Sequence, residues 1–185
     1  IFQVNDGGSA NTEVMRIAGS TSRAGIGETA PDCPLHVTYS GTGDGFILES
    51  TDAGSSGAPD LILRRNSSSP ADNDVIGNIK FNGMDTNSEE TYFSIVAQMA
   101  DVTASSIDTR LKWYIKKGGS SATHAFEFVG ETMGIRETSA VSSLQSNTGY
   151  GRLWVKNDNP NNLYFTNDAG NDVQITDGSS LAGGG

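Results

Sequence analysis

Six carboxylates in the middle of this 185-residue chain raise the question of hydrolysis: Asp85, Glu89, Glu90, Asp101, Asp108 and Glu127. Cleaving a glycosidic bond takes two carboxyl groups facing each other across a groove. All but Glu127 fall at or near turn-forming stretches, where acidic residues are ordinary occupants. They are read as turn residues, and no catalytic residue is assigned. The two histidines, His36 and His124, lie far apart in sequence, without the partners that a triad or a zinc site needs. His124 shares strand parity with Phe126 and Phe128, so a packed, hydrogen-bonded ring is expected. The single cysteine, Cys33, excludes an internal disulfide and sits in a turn context between Asp32 and Pro34, a buried or idle thiol. Asp72-Asn73-Asp74 and Asp158-Asn159 with Asn161 offer oxygen ligands, but neither follows the EF-hand spacing. They are read as turn formers, so no metal and no cofactor is expected. Gly25-Ile26-Gly27-Glu28 invites comparison with phosphate-binding loops. No long apolar strand leads into it, no helix follows, and Pro31 and Pro34 close the segment. Recognition by surface contact remains. Trp113 and Trp154 could stack on sugars, but Trp113 falls on the apolar parity of its strand and is expected in the core. Tyr114, beside Lys112 and Lys116 on the outward parity, is the better exposed aromatic and the candidate recognition site.

These residues must be positioned by strands. Val75, Gly77, Ile79 and Phe81 alternate with polar neighbours, as do Phe93, Ile95, Ala97 and Met99; Ile107, Leu111, Trp113 and Ile115; and Phe126 with Phe128. Successive strand side chains point to opposite faces, so each run gives one apolar and one mostly polar face. The intervening turns at Asn82-Gly83, Asp85 to Glu90, Asp101 to Ser106 and Gly118 to Ser121 join antiparallel neighbours. The expected unit is a four-strand meander with one buried face, within a central region 75–137. A preceding region, 1–66, reads as short strands and tight turns: Phe2 to Val4, Val14 to Ile17, Leu35 to Val37, Gly45 to Ser50 and Asp60 to Asn66, with a turn at Asn5 to Gly8. The Ser-rich stretch Thr138 to Thr148 reads as a linker or one helical turn. A C-terminal hairpin unit, 149–176, runs up Tyr150 to Lys156, turns at Asn157 to Asn161 and returns through Asn162 to Thr166. The register expected there sets Trp154 opposite Phe165 and Val155 opposite Tyr164. Residues 177–185 read as a flexible Gly-rich tail. The fold class is all-β, sandwich-like or intertwined.

The totals fit that reading. Glycine is 23 of 185 residues, hydrophobic residues are 35% and charged residues 18%. Such a chain is rich in turns and thin in core material, and sharing a core between copies is one solution. The formal net charge of −10, with basic residues scattered, excludes nucleic acid as the main partner. No apolar run approaches the ~20 residues of a membrane span, so membrane insertion is not expected. The chain opens at Ile1, inside a strand-like run, and reads as lacking its native N-terminus.

Three stretches carry a resemblance. Gly25-Ile26-Gly27-Glu28-Thr29-Ala30-Pro31 with Leu35-His36-Val37 resembles a rung common in tailed-bacteriophage tail fibres. Ile76 to Gly83, continuing through Tyr92 to Ile95 and Arg110 to Trp113, resembles a β module found downstream of such rungs. Gly149 to Asn157 with Leu163 to Gly170 looks like a C-terminal hairpin of virion structural proteins, especially of marine phages. The resemblance implies a non-enzymatic, homotrimeric protein of the virion exterior, of tail-fibre or spike type. Its partners would be itself, other virion proteins, and a host surface glycan or protein. A capsid decoration or head-fibre protein of the same build is one alternative, and a glycan-cleaving tailspike depolymerase is another.

Overall fold

The computed structural model describes residues 2–4, 12–117, 119, 121–138 and 150–183. The turn expected at 5–8 and nearly all of the Ser-rich stretch 138–148 lie outside them. The described residues form no helix, and their strands are mostly antiparallel, so the chain is all-β. It divides into two compact units, Ile1–Leu61 and Ile62–Gly185.

The first unit holds a four-stranded sheet in the order β1 (Phe2–Val4), β2 (Thr12–Ala18), β3 (Arg23–Ile26) and β4 (Leu35–Val37). β2 and β3 are antiparallel around the turn at 19–22, whereas β3 and β4 run parallel, Gly25 opposite His36. The rung motif is therefore two parallel strands joined by a tight loop. Gly27 makes that loop possible: its φ is +66°, and a Cβ there would come within 2.1 Å of the Thr38 carbonyl oxygen. Only glycine fits both the backbone and the space.

The runs Gly45 to Ser50 and Asp60 to Asn66, expected as strands, are not strands. They contain β-formers, but a strand exists only when a neighbour completes its ladder, and no described segment does so here. Their apolar side chains stay in the open, with Phe46, Ile47, Leu61 and Ile62 all exposed.

The second unit contains a five-stranded antiparallel meander in sequence order: β5 (Val75–Met84), β6 (Glu89–Asp101), β7 (Asp108–Ile115), β8 (Thr123–Val129) and β9 (Thr132–Ile135). The expected four strands are all present. The fifth was hidden because Thr132-Met133-Gly134-Ile135 is short and contains a glycine, so the stretch around Gly130 reads as turn alone. A second sheet runs β10 (Glu137–Thr138), β11 (Arg152–Lys156), β12 (Asn162–Thr166) and β13 (Asp172–Gln174), with β10 parallel to β11. The β11–β12 hairpin sets Leu153 opposite Phe165, Trp154 opposite Tyr164 and Val155 opposite Leu163. The expected register was one residue out. Here Asp158 accepts the Asn162 N–H at 3.0 Å, which fixes the length of the turn and hence the pairing. The stretch read as a tail holds part of a further strand pair. β14 (Thr176–Asp177) pairs with β15 (Ser180–Leu181) across Gly178, whose φ is +61°.

Burial is sparse. Among the described residues Val96 and Trp154 are the buried large apolar side chains, and no side chain is fully buried. Trp154 anchors the second sheet. Its ring stacks on Tyr164 with centroids 4.9 Å apart. Its Nε1–H donates to Thr166 Oγ1 at 2.8 Å, and that hydroxyl donates to Asp172 Oδ1 at 2.6 Å.

Candidate functional site: the two faces of the five-stranded sheet

The meander register sorts its side chains cleanly. One row across the sheet is Ile79, Ile95, Trp113, Phe126 and Ile135. The row on one side is Phe81, Phe93, Ile115 and Thr123, and on the other Gly77, Ala97, Leu111, Phe128 and Met133. Every member but Thr123 is apolar. Four aromatic rings meet in series across four strands: Phe81 to Phe93 at 5.4 Å, Phe93 to Trp113 at 6.0 Å, and Trp113 to Phe126 at 6.3 Å. The last two contacts are edge-to-face, an arrangement the ring quadrupoles favour.

This apolar face is open. Trp113 is 38% exposed, Ile79 42%, Phe81 52% and Met133 59%. Trp113, expected in a core, has the apolar parity expected of it, and no described segment of this unit forms a second layer over it. Cover is local. At one end Leu63 lies over Gly77, 2.9 Å from where a Cβ would stand, and a cavity of about 150 Å³ remains between them and Leu111. Near the other end a larger, open cavity of about 360 Å³ has a mixed wall, with Phe126, Ile135 and Trp154 beside Lys117, His124, Arg136 and Glu137.

The opposite face is polar and, unexpectedly, better covered. Ser94 and Val96 at its centre are 6% and 9% exposed. Their cross-strand neighbours are Tyr114 and Lys112, side chains long enough for their apolar parts to cover a sheet face. The three candidate recognition residues, Lys112, Tyr114 and Lys116, share this face and are half-buried. Lys112 stands between Val96 and Glu127, and Tyr114 between Ser94 and His124. The Tyr114 ring meets His124 edge-on at 5.8 Å. A bulge between Trp113 and Tyr114 moves His124 out of the parity of Phe126, so the histidine expected to pack with the phenylalanines faces the tyrosine instead. Lys116 Nζ pairs with Glu90 Oε2 at 2.6 Å. Glu127 lies 3.7 Å from Arg110 Nε.

The remaining carboxylates act locally. Asp85 accepts the N–H groups of Asn87 and Ser88 at 2.7 and 2.8 Å, and the Ser88 bond is the larger reason its carboxyl is held below its ordinary range. Asp101 accepts from Thr103 N–H at 2.7 Å and Ser106 Oγ at 2.9 Å, which lower its pKa in the same way. Glu89 accepts from Asn82 at 2.5 Å. In the oxygen-rich turn, Asp72 accepts the Val102 N–H at 3.0 Å, and Asp74 pairs with Arg65 at 3.1 Å. Among the described residues no group of three or more His, Cys, Asp or Glu gathers as a metal site would require. In the first unit His36 Nδ1 is 3.1 Å from Asp32 Oδ1, while Glu28 accepts from Ala30 N–H and Thr38 Oγ1, which lower its pKa. Cys33 is exposed, its thiol donating to the Leu35 carbonyl at 3.0 Å.

No family model matches the chain, and no curated protein matches it. No helix among the described residues is long and apolar enough to cross a membrane. The arrangement suits surface contact: a neutral, aromatic sheet face on one side and a charged, hydrogen-bonded face on the other.

Proposed function

We propose that this chain is a non-enzymatic structural protein of a bacteriophage exterior, of tail-fibre or spike type. In this reading it assembles as a homotrimer and contributes to host attachment. The observation that carries the proposal is the uncovered apolar face of β5–β9, set in an all-β chain with few buried side chains. A sheet needs a second layer, and a particle protein present in identical copies obtains one from its neighbours. The three stretches that resemble phage fibre proteins support it. The first falls on the parallel pair β3–β4, the second on β5–β7 and the third on the β11–β12 hairpin, so each corresponds to a set of paired strands. Lys112, Tyr114 and Lys116, on the opposite face, are the residues proposed to meet a host glycan or protein. Copies arrayed on a particle raise effective concentration, so weak single contacts suffice for attachment.

Gold-labelled antibody against the chain, applied to intact particles, tests this. Label at the tail supports the proposal, label over the head shell assigns the decoration reading instead, and absence of the chain from particles overturns both. Release of reducing ends from host polysaccharide by the purified chain would overturn its non-enzymatic character.

A further inference from the structure

We infer that the apolar face of β5–β9 is the seam at which copies of this chain meet, with Trp113 at its centre and the Lys112–Tyr114 face turned outward. The inference rests on the oligomeric reading above and specifies which surface makes the oligomer.

Three observations select a second copy as the occupant. The first is area. The chain exposes 13746 Å². A compact monomer of 19.4 kDa exposes about 8,500 Å², or about 10,000 Å² if its two units are counted as separate bodies. Part of the excess lies in the strandless, exposed residues 38–66 and part in the open sheet face, and the total is of the size that obligate interfaces remove from water. The second is supply. Within the second unit the described cover is local, at Leu63, and the sequence holds Ile1, Val141 and Leu144 as the large apolar side chains outside the described residues. The third is charge. The chain carries −10 overall, so identical copies repel at long range, yet all three rows of this face are uncharged. Copies therefore meet here without opposing like charges, and the edge-to-face ring series offers each copy the surface it presents itself. A glycan is the poorer occupant of the three rows, because a sugar site needs polar groups converging among its aromatics; Thr123 is the one polar side chain in them, and Lys117, Arg136 and Glu137 stand at the cavity at one end.

Adjacent residues of one strand provide a matched test. Ile79 lies on the apolar face and Asn78, opposite Val96, on the polar face. Both are exposed in the single chain. Light scattering on the intact wild-type chain should return a whole multiple of 19.4 kDa. Ile79→Lys should reduce it to the single-chain mass, whereas Asn78→Lys, with the same added charge one residue away, should leave it unchanged. An assembled wild type whose mass is untouched by Ile79→Lys overturns the seam and leaves the oligomeric reading standing. A wild type of single-chain mass overturns both. Should Ile79→Lys fail to fold by circular dichroism, acrylamide quenching of the wild type decides. The chain has two tryptophans, and Trp154 is already shielded. A seam over Trp113 leaves neither quenchable, whereas quenching of about half the emission overturns the inference.

Discussion

Replacing Trp154 by alanine should unfold the β10–β13 sheet while sparing the meander. Trp154 is 6% exposed, so nearly all of its side chain leaves water on folding. Truncating a buried aromatic to alanine costs about 3–5 kcal/mol in transfer free energy and cavity formation. Two parts of that total can be separated. The stacked contact with Tyr164 contributes about 0.5–1.5 kcal/mol, and the hydrogen bond to Thr166 about 1 kcal/mol. Trp154→Phe keeps a ring for stacking and loses the N–H, so it should cost about 1–2 kcal/mol. A sheet of this size has a stability of only a few kcal/mol, so the alanine variant should leave β11 and β12 largely open. Hydrogen exchange, followed peptide by peptide at fixed protein concentration, is the assay. Amides of residues 152–156 and 162–166 should lose protection in Trp154→Ala, lose part of it in Trp154→Phe, and those of β6 and β7 should change little. Full protection of the hairpin in Trp154→Ala would refute the claim that this side chain holds the sheet.

Other expectations follow from particular contacts. Gly27→Ala should destabilise the first unit by more than about 1 kcal/mol, read as loss of protection in β3 and β4, because of its positive φ and the 2.1 Å approach to Thr38. Asp85 and Asp101 have folded pKa values below their ordinary 3.8. The stability they contribute is therefore complete above that value and lost as pH falls through the lower folded value. Melting temperature should accordingly fall below about pH 4 in the wild type, and fall less steeply when either residue is alanine. A melting curve as steep in the variants as in the wild type would contradict the turn assignments. Tyr114→Ala should weaken competition by the purified chain for adsorption to host cells without changing its native mass. Unchanged competition would remove Tyr114 from the recognition surface.

The strands of the meander could be read from the sequence because Val75 to Phe81, Phe93 to Met99 and Leu111 to Ile115 alternate between turns, with breaks at Ile76 and Val96. Alternation fixes which side chains share a face, and Ile79, Trp113 and Phe126 do share one. It does not say whether that face is covered, since cover comes from other parts of the chain or from other chains. Trp113 was therefore placed on the right face, without a sign of what would cover it. The runs Tyr150 to Lys156 and Asn162 to Thr166 read as a second set of strands, but they form a sheet of their own. Bulges escape pattern reading because a single extra residue, at Ala125, reverses parity for His124. The runs at 45–50 and 60–66 have strand composition without strand structure, because composition cannot supply the ladder partner. Lys112, Tyr114 and Lys116 were grouped by parity, and the register keeps them together. The ion pair of Lys116 with Glu90, 26 residues away, depends on strand order and was not visible.

The central claim is that this chain presents an apolar sheet face which only further copies of itself cover. The native mass of the intact wild-type chain at micromolar concentration tests it most directly. The account predicts three times the 19.4 kDa of one chain. A stable species with the mass of a single chain would contradict it.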